Sequence, residues 1–465
     1  MQARWQGVFF LDDEQRVPGE LTVDDRDGRA EVTLWDIGTF GDAPQDLASR
    51  TLHGVIWKGA STALVSAFGC RVSGGSYAST GPMYRADIVF SSVALGNRLV
   101  RRDEPIVTAA AFLFEGFERS HPMRSGFDAV IEPDAELKAQ VERSMSAERS
   151  KRFKLGDNPV IGFFDGSGSD LTITGTPLGD IEVNARSVTI PSGEPLVKRG
   201  PFVRLRFEEA ISLSAAHERL SAIRSFVGLV TGCVPRLTEF SAEATTPGDS
   251  PPSFDVIAPT DRLDAGRTRE PSIGMSLLNH VARQDEFKDV TRNWLDRNQD
   301  SHRFDSNSRF LRHFGNNSYN EDRLIGAVNM FDLLPPSEKR YTNGKEIKDI
   351  ASVIKKKAGP ILDALGPDAL PRLDYVVDCA VNGRNHYTHG TPAKVNFRAG
   401  GTLVFLTSAM EFIHGVSEML VCGWDLAAWV RQDRGGRHPF GSFLRDYSRS
   451  LTQLDASQRS EIAQH

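Results

Sequence analysis

The sequence predicts an α+β protein, with a β-rich N-terminal half followed by an all-helical bundle. Three observations carry that expectation. Apolar residues alternate with a period of two over much of the first 240 positions, the signature of half-buried strands. After about residue 273 they recur every three or four positions, as on helices. Between the two, residues 243–272 set Pro247, Pro251, Pro252, Pro259 and Pro271 among Thr, Asp, Ser and Arg, which reads as a linker or irregular connection. The expected domains are therefore 1–242 and 273–465, the latter holding a bundle at about 316–432. A chain of 465 residues has room for two or three cores.

In order, Ala30, Val32 and Leu34 alternate with Glu31, Thr33 and Trp35 as in a strand. Pro18-Gly19 and Gly74-Gly75 read as turns. Further strands are expected at Ala86–Phe90 and Pro105–Phe114, then a short charged helix from about Asp134 to Lys154. A second β run includes Leu171–Gly175, Asp180–Val183 and Phe202–Phe207. In the last, Val203, Leu205 and Phe207 face one way and Arg204 and Arg206 the other. An amphipathic helix from Ser214 closes this half, with Ala216, Leu220, Ile223, Val227 and Val230 on one face.

The second half reads as helical from Met275 to Asn298. Ser318-x-x-Glu321 has the pattern of a capping box opening a helix with Leu324, Val328, Phe331 and Leu334 inside, stopped by Pro335-Pro336. Asn343-x-x-Glu346 opens the next, with Ile347, Ile350 and Ile354 inside, stopped by Gly359-Pro360. A third carries Leu373, Val376, Val377, Ala380 and Val381. The last is a long helix from Leu403 to Trp424, giving four main helices.

Composition narrows the function classes. With 25% charged and 40% hydrophobic residues the chain has an ordinary globular balance. A net charge of −6 argues against a protein that coats nucleic acid over its whole surface, while leaving room for a local basic groove. The four cysteines (Cys70, Cys233, Cys379, Cys422) have no ligand spacing and read as reduced, mostly buried thiols of a cytoplasmic protein. The N-terminus lacks the layout of a signal peptide. The apolar stretch Leu403–Val430 is interrupted by Glu411, His414, Glu418 and Asp425, so it reads as a buried bundle helix and no membrane contact is expected.

The chemistry-bearing stretch is Arg384-Asn385-His386-Tyr387-Thr388-His389, where the third bundle helix runs out of core positions before Gly390 and Pro392. Asn385 and His389 are four apart and share a face, so the amide is placed to orient the imidazole. Arg384 and His389 are five apart, about 140° around a helix, and converge only if the helix ends near His389 or if two copies meet across a two-fold axis. A cation beside an imidazole suits metal-independent RNA scission. There the 2′-OH attacks the adjacent phosphorus, needing a base, an acid and a charge stabiliser. From Pro335 to Gly400 there are eleven Lys and Arg against seven Asp and Glu, a local net of +4. Lys355-Lys356-Lys357 is its densest part and a candidate phosphate-binding run, together with His386 and Tyr387. A solvated helix end explains the triplet equally well.

Other readings stay open for the same residues. Arg384 is also a candidate ion-pair partner of Asp374 or Asp378. His386 and His389, three apart, lack a third ligand nearby, so no metal site and no cofactor are expected. Tyr387 reads first as a packing residue, Glu411 and His414 as structural, and Glu321 and Asp322 as the start of a helix.

On the Arg384–His389 motif, near the end of a bundle's third main helix, the C-terminal half resembles the HEPN superfamily, specifically the Apea-like HEPN domains. The N-terminal half resembles the Apea N-terminal domain. That likeness rests on W-x-G-x-F-F-L (Trp5–Leu11), V-P-G-E-L-T (Val17–Thr22), L-H-G-V-I (Leu52–Ile56), Y-R-A-D-I-V-F and F-L-F-E-G-F. The resemblance implies a metal-independent endoribonuclease of anti-phage abortive infection, active as a homodimer or higher oligomer. It further implies Arg384 and His389 as the catalytic pair, Asn385 as polar helper, and RNA of the transfer-RNA class as substrate. The β domain would sense a phage-derived trigger or restrain the nuclease. The competing expectation is a non-catalytic HEPN module that binds a nucleotide or a protein, with a ligand-sensing β domain.

Overall fold

The computed structural model describes residues 2–11, 15–24, 29–35, 51–59, 61–77, 84–114, 127–130, 134–144, 161–164, 171–189, 197–233, 235–244, 253–257, 276–278, 280, 282–314, 318–341, 343–366, 368–432 and 437–462. It has an N-terminal antiparallel sheet followed by a helical region, the α+β class that the periodicity predicts.

The strands are β1 (Gln2–Leu11), β2 (Gln15–Asp24), β3 (Arg29–Trp35), β4 (Leu52–Lys58), β5 (Ser61–Phe68), β6 (Arg71–Tyr77), β7 (Tyr84–Val89), β8 (Ser92–Gly96) and β9 (Val107–Phe114). After them come β10 (Phe127–Val130), β11 (Ile161–Phe164), β12 (Leu171–Ile173), β13 (Asp180–Thr189), β14 (Val197–Ile211), β15 (Leu237–Ala244) and β16 (Ser253–Ile257). Fourteen join one sheet in the order β12-β13-β14-β9-β15-β16-β8-β5-β4-β1-β2-β3-β7-β6, while β10 and β11 pair with each other. Alternation does what it predicts. Ala30, Val32 and Leu34 are buried, and Val203, Leu205 and Phe207 face the core. On the opposite face of β14, Arg206 reaches Glu182 at 2.7 Å and Arg204 pairs with Glu243.

The helices are α1 (Ala135–Ser144), α2 (Leu213–Thr231), α3 (Gln284–Arg297), α4 (Ser301–Phe314), α5 (Glu321–Asn329), α6 (Ile350–Leu365), α7 (Leu373–His389), α8 (Thr402–Val421), α9 (Leu426–Arg431) and α10 (Pro439–Ile462). One apolar core lies among β1 to β8, built on residues such as Phe9, Val32, Ile56 and Leu95. A second is continuous from Phe112 and Leu205 on the sheet, through Phe226 of α2, to Phe331, Phe412 and Leu454 of the helical region. The two halves meet closely at Gly232, which ends α2 in the left-handed conformation. A Cβ there would lie 2.4 Å from Pro439 Cδ.

Several local readings change. Pro18-Gly19 is not a turn but mid-β2, with Pro18 opposite Val8. The pairing of β2 with β3 starts only at Gly19, so the exposed Pro18 has no bond to donate on that side. Gly74-Gly75 likewise lies in β6, at an irregular register with β7. Within 243–272, Ser253–Ile257 is strand β16, and the cut at 242/243 falls inside β15; residues 245–252 and 258–272 lie outside the described residues. Of the helix read over 134–154, residues 135–144 are observed and 145–154 lie outside the described residues.

In the helical half, the 275–298 reading shortens to α3. Asn320, not Ser318, caps α5, its Oδ1 accepting from Arg323 N at 3.0 Å. Asp349 caps α6, accepting from Ser352 N at 2.8 Å, while Asn343 only closes a local turn onto Lys345 N. Gly359-Pro360 does not stop α6. Pro360 forfeits one backbone bond, but burial of Ile354, Ala358 and Ile361 on one stripe carries the helix to Leu365. Helices α4, α9 and α10 were not expected, so the helical region exceeds four main helices.

Helix α8 is apolar and long enough to cross a membrane by length and composition, yet 78% of its apolar window is buried inside the protein. It carries the buried polar groups Glu411, His414 and Glu418. Glu411 receives Arg323 of α5 through both carboxylate oxygens, at 2.7 and 2.9 Å. Glu418 meets Arg303 at 2.5 Å and Lys357 at 3.0 Å, and Glu338 joins the same network. All four cysteines are buried free thiols.

Candidate functional site

The site begins with a close helix crossing. Gly383 on α7 faces Leu324 of α5 and the Phe397 ring, where a Cβ would sit 2.9 and 2.7 Å from them. Without a side chain at 383, the end of α5 comes within hydrogen-bonding reach of Arg384. Arg384 Nε donates to Asn329 Oδ1 at 2.9 Å, and its Nη1 donates to Asn385 Oδ1 at 2.9 Å. Asp332, just past α5, lies 3.7 Å from Nη2 and is 53% exposed. Two neutral amide oxygens thus fix the guanidinium plane, while its charge meets only one loose, solvated carboxylate. An arginine has five N–H donors, so donors remain for an anion.

His389 is the last residue of α7 and is exposed. Gly390 follows in the left-handed conformation (φ 67°) and its N–H bonds His386 O at 3.0 Å. The helix stays regular through His389, so Arg384 and His389 diverge by about 140° around the axis. The helix end expected from Gly390 is present, but it does not bend the two side chains together. The expected amide–imidazole pairing is also replaced, because Asn385 Oδ1 is engaged by Arg384.

The other candidates occupy different places. His386 Nδ1 lies 2.8 Å from Thr391 O, and since a carbonyl only accepts, Nδ1 carries the proton. Its ring stacks on Phe397, with centroids 5.7 Å apart, and meets Tyr387 edge-on. Tyr387 also packs against Phe397, and burial raises its phenol pKa. Both rings fasten the chain that follows α7.

Lys355 bridges α6 to Asp378 of α7 at 2.7 Å, so Asp378 is not a partner of Arg384. Lys356 caps the carbonyls of Glu338 and Arg340. Lys357, 11% exposed, joins Glu418 and Glu338 in the buried network. The three ammonium groups therefore point to three places and form no shared patch.

Asn329 and Asp332 are the residues that sequence reasoning missed at Arg384. They lie more than fifty positions away, and only the α5–α7 crossing brings them in. Among the described residues, no three His, Cys, Asp or Glu side chains gather closely enough to hold a metal ion. Glu411 and His414 are fully internal, as a structural role requires.

Neither a curated protein nor a solved structure matches the chain. Residues 4–294, more than half of the chain, match the family model for ApeA N-terminal domain 1. The match spans β1 to β16 and enters α3, ending well before Arg384. The chain therefore belongs to the ApeA N-terminal domain 1 family.

Proposed function

We propose that this protein is an anti-phage defence factor whose helical half is a HEPN-type, metal-independent endoribonuclease acting on RNA of the transfer-RNA class. Family membership suggests the defence role. The observation that carries the chemistry is Arg384, oriented by Asn329 and Asn385 with its charge largely uncompensated, one helical turn from the exposed His389. In this reading the 2′-OH attacks the adjacent phosphorus. The 5′-oxygen leaves, taking a proton, and the product carries a 2′,3′-cyclic phosphate. Arg384 stabilises the charge on the phosphorane oxygens, His389 moves a proton, and Asn385 holds the guanidinium. Unpaired RNA suits the step because a splayed strand reaches in-line geometry.

Because α7 is straight, the pair converges across a homodimer axis, with Arg384 of one subunit beside His389 of its partner. The β sheet acts as sensor or brake. Incubating the full-length protein with transfer RNA in EDTA tests the reading. It expects scission with 2′,3′-cyclic phosphate ends; cleavage that EDTA abolishes, or none in the presence of phage components, counts against it.

A second reading has one observation in its favour: Arg384 already has three partners, as a purely structural arginine would. The helical half is then a binding module and the sheet the functional part. That protein binds RNA or nucleotide without cutting.

A further inference from the structure

A cavity of about 310 Å³ opens between α8 and α10, apart from Arg384. Its walls are the rings of Phe314, Phe405, Phe440 and Phe443. At one side stand Tyr319 and Glu411, the latter almost wholly buried with both carboxylate oxygens on Arg323. Each of those oxygens keeps a further lone pair. Along α10 the lining turns polar, with Ser442, Ser450, Gln453 and Asp446. The one lining cation, Arg449, is paired with Asp446 at 3.1 Å.

Three properties select an occupant. Ligand pockets run from about 300 to 1,000 Å³, so this one takes a small molecule. Aromatic walls favour a flat ring, which stacks on or meets them edge-on. The polar side is rich in acceptors and has no surplus positive charge, so it favours hydroxyl and N–H donors over a polyphosphate. The geometry points to a binding site for an uncharged nucleoside: the base lies among the phenylalanines and the ribose hydroxyls face Ser442, Ser450, Gln453 and Asp446. This assignment stands independently of the ribonuclease reading.

Calorimetric titration of the full-length protein with adenosine, guanosine, cytidine and uridine tests it. At least one is expected to bind with Kd below about 1 mM. Filling the cavity with Ser450→Trp or, separately, Ser442→Trp is expected to weaken that binding at least tenfold. A thermal melt shows which variant keeps the wild-type fold, and ligand-observed NMR on the wild type reports whether ring protons contact the aromatic walls. Failure of all four nucleosides to bind overturns the assignment. So does binding that survives in a folded cavity-filled variant, or a bound nucleoside whose ring protons show no transfer from protein aromatic protons.

Discussion

Asn329 Oδ1 accepts the Nε–H of Arg384 at 2.9 Å, tying the last residue of α5 to the last turn of α7. A guanidinium held through Nε cannot swing freely, so Asn329 is a positioning residue. Hydrogen bonds to charged groups are worth about 1.5–3 kcal/mol. Asn329→Ala is expected to fold, to lose stability within that range, and to cut RNA at least tenfold more slowly through kcat, with KM little changed. Asn329→Asp, which keeps the acceptor, should recover part of the rate. Steady-state cleavage kinetics and urea unfolding of the three proteins check both halves.

The crossing beneath that bond is equally testable. Gly383→Val places carbon where Leu324 and Phe397 already stand, and overpacking of this kind costs about 1–3 kcal/mol. Gly359→Ala on α6, where nothing lies within 4 Å, should be neutral or stabilising by up to about 1 kcal/mol. Denaturant midpoints of the two variants should move in opposite directions.

Arg323 and Glu411 form a buried bidentate pair. Removing one partner leaves a charge stranded, at a cost of about 3–5 kcal/mol. Arg323→Met is therefore expected to be strongly destabilised. The double variant Arg323→Met/Glu411→Leu should regain much of the loss, which a double-mutant cycle on unfolding free energies would show.

Acid sensitivity follows from α8. Burial holds the His414 imidazole down at about 4 from an ordinary 6.5, with Lys357 and Arg303 adding to the effect against Glu418 and Glu338. The unfolded chain binds the proton more readily, so the associated stability is complete above pH 6.5 and drains away as pH falls toward 4, by about 3 kcal/mol. Burial pushes Glu418 up, but Lys357 and Arg303 outweigh it and hold the carboxyl at about 2 from 4.5. Its contribution is lost over that lower window. His414→Gln, which can still donate to Asn307, should flatten the pH 6.5 to 4 slope in unfolding experiments and leave the lower one.

Much of this architecture is legible in one chain because its signals are local. Alternation at Ala30–Leu34 and Val203–Phe207, and the Leu373–Val381 stripe, each record burial directly. What fails is local punctuation overruled by packing: Pro360 rides inside α6, and Pro18 sits where β2 has no neighbour on one side. Helix α4 hides because buried Arg303 and Asn307 stand where apolar residues would mark its inner face. In α10, Phe440, Phe443, Tyr447, Leu451 and Leu454 do recur at helical spacing, and that signal was available. At the candidate site the motif itself is visible, but Asn329 and Asp332 are brought in by a crossing that no local pattern encodes. Lys357 likewise reads as surface charge until Glu338 and Glu418 are seen around it.

The central claim is tested most directly by assaying purified wild type, Arg384→Ala and His389→Ala on transfer RNA in EDTA, with melts and sizing to show that all three remain folded and equally assembled. The account predicts cyclic-phosphate-ended fragments from wild type and a loss of at least a hundredfold in rate for each variant. Folded variants that cut as fast as wild type would contradict it.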